Sequence, residues 1–176
     1  MPNGDDVFDD RAMAMGVNKR SIEGFTLIEL VIVLAIMAII LVASIPSSGG
    51  KIDQVGINEA LNLVKVYQPQ IESYYNMTGE FPADNEVLGM PAPQSVIGNY
   101  LTAVHLEDGA LHLELGNKIR PKLKGKIVSI RPVFVPDTPN APISWICGND
   151  SVPDKMVAAG DNRTNVEPLS LPSSCK

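Results

Sequence analysis

From Phe25 to Ile45 the chain is apolar at every position except Thr26, Glu29 and Ser44. This run constrains the fold more than any other feature. Roughly 20 helical residues cover the about 30 Å of a bilayer's hydrocarbon core, so the run reads as a membrane-spanning helix. Its single charge is the anomaly. An unpaired acid at the bilayer centre costs on the order of 2.5–3.5 kcal/mol and less toward an interface, so Glu29 requires a partner that the run does not contain. Lys19 and Arg20 stand just upstream. The positive-inside rule keeps that end in the cytoplasm and sends the C-terminal body outward. A cleaved secretory signal has a shorter apolar core with a small-residue cleavage site after it. Here the small residue, Gly24, comes before the core.

The remaining sequence reads as one small domain. The chain has 176 residues, 45% of them hydrophobic, and much of that share sits in the one run. A formal net charge of −6 argues against general nucleic-acid binding while leaving room for a local basic patch. Cys147 and Cys175 both lie far downstream of the run. Such a pair implies an oxidising compartment and one disulfide, the alternative being two free thiols.

Ile57, Ala60, Leu61, Val64, Tyr67, Ile71 and Tyr74 recur at spacings of three and four, which predicts an amphipathic helix. Asn58, Glu59, Asn62, Lys65 and Glu72 form its polar face, and Pro69 predicts a kink near Val66. Gly49, Gly50 and Gly56 each cost about 1 kcal/mol relative to alanine in a helix, which weighs against a straight helix through residues 46–56. A loop rich in Pro, Gly and Asn follows. "YLTAVHLEDGALHLEL" is a hairpin, with Asp108-Gly109 favouring a type I′ turn. That turn pairs Glu107 with Ala110, Leu106 with Leu111, His105 with His112 and Val104 with Leu113. Val104, Leu106, Leu111, Leu113 and Leu115 then face the helix, while His105, Glu107, His112 and Glu114 face solvent. "KIVSIRPVFV" and "PISWIC" supply two more strands. The expected fold is α+β: a long N-terminal helix, half membrane-spanning and half amphipathic, packed on a four-stranded antiparallel sheet.

Lys118, Arg120, Lys122, Lys124 and Lys126 fall at every second position. Extended, they would form one basic row, read either as a solvated face or as a contact for polyanions such as DNA. The sequence carries no nucleophile elbow, phosphate loop or metal-ligand spacing. It reads as non-enzymatic, without cofactor or metal. His105 and His112 read as a solvated pair rather than ligands.

"GFTLIEL" resembles the processing site of type IV pilins, the class III signal peptide. The resemblance implies that a membrane-embedded prepilin peptidase cuts between Gly24 and Phe25 and methylates the new amino terminus on Phe25. Glu29 is then fifth in the mature chain, where the family has the glutamate that meets a neighbouring subunit's amino terminus. Pro46 falls twenty-second, where pilins also carry a proline. "NEALNLVKVYQPQIESYYNMTGEFP", with Glu59, Tyr74, Tyr75, Gly79, Glu80 and Pro82, resembles the helix and following loop of Neisseria-type pilins. "LKGKIVSI", "ISWICG" and "LPSSC" resemble that group's later strands and closing cysteine.

The resemblance implies a leader over 1–24, a transmembrane and filament-core helix over 25–45 and an amphipathic helix over 46–75. A loop over 76–99, a sheet over 100–147 and a region over 148–176 closed by Cys147–Cys175 follow. The implied function is structural subunit of a type IV pilus, for adhesion, twitching motility or DNA uptake. A minor or competence DNA-binding pilin and a type II secretion pseudopilin are the alternatives. Implied partners are further copies in a helical filament, the prepilin peptidase, the assembly machinery of the inner membrane, and a host surface or DNA. The implied location is the inner membrane before assembly and the cell surface afterwards. Residues 1–14 carry a net −3, whereas the stretch from Met15 to Gly24 carries +1, so translation is expected to begin at Met15 or Met13.

Overall fold

The computed structural model describes residues 25–43, 49–138 and 141–176. The chain divides into two compact units, residues 1–45 and 46–176. In the first, α1 runs Leu27–Ala43. Thr26 starts it: its hydroxyl oxygen accepts the Glu29 N–H at 3.3 Å and its carbonyl accepts the Leu30 N–H at 3.2 Å. Satisfying those first-turn donors is what an N-terminal threonine supplies. At 1.5 Å per residue α1 is about 26 Å long. Among the described residues no helix is long and apolar enough to cross a membrane. Ser44 and Ile45, which complete the apolar run, lie outside those residues, so a span over 25–45 rests on the sequence. Gly24 and Pro46 also lie outside them.

The second unit is the α+β head. Helix α2 spans Gly49–Val64, a 3-10 turn takes Lys65–Tyr67, and α3 spans Gln68–Thr78. Pro69 sits in the first turn of α3, where its missing N–H costs nothing, so the expected kink appears as the 3-10 turn. The expectation against a helix through 46–56 is corrected for 49–56, which are helical; residues 46–48 lie outside the described residues. Gly50 and Gly56 are there for close approach. A Cβ on Gly56 would stand 2.7 Å from Ile119 Cδ1 and 2.9 Å from Tyr100 Cδ1, and one on Gly50 would stand 3.0 Å from the Leu169 carbonyl oxygen. Helix propensity is given up so that α2 can seat on the head. Gly56→Val is expected to lower unfolding stability by about 1–3 kcal/mol through overpacking, read as a shift of the denaturant midpoint at unchanged slope.

Within the expected loop stands a single-turn helix, α4, Asn85–Leu88, capped by Asp84 through the Val87 N–H at 2.9 Å. Strands β1 (Leu101–Glu107), β2 (Ala110–Leu115), β3 (Ile127–Phe134) and β4 (Ser144–Cys147) are antiparallel in sequential order. The hairpin register is the one the Asp-Gly turn dictates, His105 opposite His112 and Glu107 opposite Ala110. Asp108 and Gly109 have φ of 47° and 82°, as a type I′ turn requires. Ile57, Val64 and Ile71 from the helices meet Val104, Leu106, Leu111, Leu113 and Leu115 in one core. The open edge of β1 is covered by Asn85, which accepts the Leu106 N–H at 2.8 Å and donates to the Val104 carbonyl at 3.0 Å. That side chain substitutes for a neighbouring strand and blocks edge pairing.

A short fifth strand, β5 (Val157–Ala158), was not foreseen. Strand β3 outruns β2 at the hairpin turn, and β5 takes the vacated side, pairing with Val133 and Phe134. Pro132 sits where β3 passes the turn, so its missing N–H is not lost from the β2 ladder, and its carbonyl accepts the Ala159 N–H at 2.9 Å. Beyond the end of β4, Asn165 supplies the Ile127 N–H with an acceptor at 2.7 Å and Thr164 does so for Ser129 at 3.0 Å. The C-terminal region thus completes both edges of β3. Cys147 and Cys175 are disulfide-bonded with Cα atoms 4.4 Å apart. The Trp145 indole N–H donates to Glu72 Oε1 at 2.7 Å, tying β4 to α3.

Candidate assembly site

Two apolar surfaces are bare. The first is α1, whose described side chains from Phe25 to Val42 are all exposed, Phe25 at 76% and Leu27 at 81%. Solvation of so much aliphatic surface at about 25 cal/mol per Å² is a strong drive toward a lipid or protein environment. Glu29 lies in its first turn, where a negative charge suits the helix macrodipole. Among the described residues none forms an ion pair with Glu29.

The second surface was missed in the sequence. Ile52, Val55, Leu63 and Val66 are exposed at 59%, 64%, 37% and 60%. At 3.6 residues per turn they fall within about 80° of arc, centred roughly 140° from the buried stripe. Glu59 lies in the same arc, its carboxylate accepting the Asn99 side-chain N–H at 2.8 Å. Asn58, Asn62 and Lys65 hold the remaining polar sector. The signal was present as spacings of three, eight and three, but Glu59 in the middle of the arc makes that face read as polar.

The basic segment is not an extended row. Pro121–Leu123 form a 3-10 turn, Asn117 and Gly125 have positive φ, and β3 begins only at Ile127. The alternation of lysines therefore does not become one face. Lys118 donates to Asn99 Oδ1 at 3.1 Å. Arg120 Nε and Lys122 Nζ each stand 3.0 Å from the carboxylate of Asp53, whose side chain is fully buried. Ser170 accepts from Lys122 at 3.0 Å and donates to Asp53 Oδ2 at 2.9 Å. Arg120 approaches Asp53 Oδ1 as an ion pair without hydrogen-bond alignment. Asp53 thus joins α2, the basic loop and the C-terminal region at one point. Asp53→Asn is expected to destabilise the head by less than the about 3–5 kcal/mol of breaking a fully buried pair, because both cations are partly exposed and can turn to water. Chemical denaturation read by Trp145 fluorescence measures it.

The outer sheet face is also not the solvated surface that was expected. His112 is buried at 2% exposure, its Nδ1 2.9 Å from Ser129 Oγ. Residues 161–164 cover it, and Arg163 pairs with Glu107. Among the described residues no group of three or more His, Cys, Asp or Glu side chains can hold a metal ion.

Residues 56–176 match the pilin family of bacterial filament proteins, a match over more than half of the chain. The chain belongs to that family. The prokaryotic N-terminal methylation motif matches residues 19–45 of this pilin. The fimbrial protein of Neisseria meningitidis serogroup B is 28% identical over 163 residues, covering 88% of this pilin and 94% of the relative. The type IV major pilin protein PilE1 of Neisseria gonorrhoeae is 29% identical over 160 residues, covering 88% and 87%. The fimbrial protein EcpC of Eikenella corrodens is 28% identical over 155 residues, covering 88% and 90%. The family resemblance and the α+β head expected from the sequence hold.

Proposed function

We infer that this pilin is a structural subunit of a type IV pilus filament and not an enzyme. The observation that carries the reading is α1: a helix of 17 residues, apolar throughout but for Glu29 and exposed on all sides, in one chain with a disulfide-closed head. Relatives named as type IV major pilins and fimbrial proteins support it. In this reading the prepilin peptidase cuts between Gly24 and Phe25 and methylates Phe25. The subunit waits in the inner membrane with residues 25–45 in the lipid, and the assembly machinery transfers it to the filament. There α1 and the stripe of Ile52, Val55, Leu63 and Val66 bury against other copies. Glu29 meets the amino terminus of a neighbour, neutralising both charges in an apolar interior. The head faces outward and offers its disulfide-bounded region to surfaces.

Deleting the gene and imaging the cells tests this. Loss of filaments, restored by the intact gene, is expected; filaments at undiminished number and length would remove the subunit from the role of building block. Polyanion contact through Lys118, Arg120, Lys122, Lys124 and Lys126 is a lesser proposal, since Lys118, Arg120 and Lys122 are engaged within the chain. Binding of DNA by purified filaments that weakens steeply with salt would support it, with a slope of roughly −0.9 per duplex phosphate neutralised.

A further inference from the structure

His112 is a buried ionisable group that filament assembly does not use. Its ring lies on β2 opposite Ser129 of β3, on the sheet face away from the helices. Ser129 Oγ contacts His112 Nδ1 at 2.9 Å and also accepts the backbone N–H of Arg163 at 2.9 Å. One hydroxyl therefore links the imidazole to the segment that covers it. Arg163 extends further and pairs its guanidinium with Glu107 of β1. Nε2 of His112 is buried and has no hydrogen-bond partner. A cavity of about 270 Å³ lined by His105, Glu107, His112, Glu114, Ile127 and Arg163 adjoins the ring.

We propose that His112 is an acid-sensitive latch for the C-terminal region: neutral, it lets residues 161–164 seat on the sheet, and protonated, it releases them. A neutral imidazole tolerates burial with one nitrogen unpaired, whereas an imidazolium in the same place needs an acceptor at both nitrogens. The closed seat offers it few. Burial, then the guanidinium of Arg163, hold its pKa below the usual histidine value, with His105 acting in the same direction. Glu107 and Asp161 pull the other way, and Glu107 is already engaged by Arg163. Glu114 is the remaining charged group lining the cavity.

The sign follows from linkage. A histidine whose pKa is depressed in the closed state contributes stability that is full above about pH 6.5 and is lost as pH falls toward the closed-state value. Opening of the segment is then favoured by up to about 30-fold at pH 5, the ceiling set by a reference pKa of about 6.5 and a closed imidazole that stays neutral. Carboxyl groups have reference values near 4, so this window isolates imidazole chemistry. The device acts locally. The disulfide keeps the released segment attached at both ends, so acid changes what the C-terminal region presents without unfolding the head.

The test is hydrogen exchange by mass spectrometry on the full mature chain in detergent micelles. Peptides covering residues 158–166 are followed between pH 7.5 and pH 5, with rates corrected for intrinsic exchange. Protection in the wild type is expected to fall by up to about 30-fold at the lower pH. His112→Asn, which keeps a polar group toward Ser129, should show equal protection at both pH values, and His105→Asn should keep the wild-type response. A wild type insensitive to pH, or a response that survives in His112→Asn, overturns the proposal. Should His112→Asn fail to fold, NMR titration of the wild type decides: the His112 ring protons and the Arg163 and Thr164 amides must change with one midpoint. Separate midpoints would overturn the latch.

Discussion

Glu29→Ala is expected to abolish surface filaments while the subunit is still cleaved and still accumulates in the membrane. The mature amino terminus on Phe25 is a cation near neutral pH, with a reference pKa of about 8. Burying that amine among helices as apolar as α1 without a counter-ion leaves an uncompensated charge, at a cost of about 3–5 kcal/mol when one partner of a buried pair is removed. Each tenfold in an equilibrium corresponds to about 1.4 kcal/mol, so one assembly step loses roughly two to nearly four orders of magnitude. A filament repeats that step at every subunit. The same substitution makes α1 uniformly apolar and so holds the subunit in lipid more firmly. Shearing the cells and blotting both fractions reads the outcome. Filaments at wild-type level would end the pairing account, whereas uncleaved precursor would mean that Glu29 serves the peptidase instead.

Breaking the disulfide has the second largest expected effect. The Cys147–Cys175 bond closes a loop with a sequence separation of 28. In the chain-entropy account, whose mechanism is disputed, such a loop contributes roughly 3–4 kcal/mol. Domains of this size are stable by only about 5–15 kcal/mol, so Cys147→Ser removes a large part of the margin. The consequences extend beyond the loop. The closed segment carries β5, the Thr164 and Asn165 acceptors of β3, and Ser170 on Asp53. Freeing it exposes both edges of β3 and loosens the buried carboxylate. The measurement is pilin abundance in the envelope together with protease resistance of the head, both of which should fall sharply. Ready alkylation of both cysteines in native, mature wild-type protein would contradict the clamp itself.

What was legible in the sequence were features with a short period or a forced geometry. The hairpin register followed from Asp108-Gly109 alone, because a two-residue turn admits one pairing. The core face of α2 and α3 followed from spacings of three and four. Gly56 misled because propensity is a local cost, while its reason, the approach of Ile119 and Tyr100, comes from residues far along the chain. The lysine row misled in a similar way. Alternation signals one face only if the chain is extended, and Pro121 and Gly125 turn it. Asp53 then captures two of its cations, a contact between residues nearly seventy positions apart. His112 escaped because the face it occupies is covered by a polar segment without a hydrophobic signature. In the assembly site Glu29 stood out by its isolation, whereas the stripe of Ile52, Val55, Leu63 and Val66 was hidden because Glu59 shares its face.

The central claim is that a subunit beginning at Phe25 forms the filament through its apolar helix. Intact-mass measurement of subunits dissociated from purified, sheared filaments, followed by sequencing of their amino termini, tests it most directly. The account predicts a chain that starts with N-methylphenylalanine at Phe25 and carries the Cys147–Cys175 disulfide, as the main component of the filament. Filaments made of another protein, or subunits of this chain that retain Gly24 and the residues before it, would contradict it.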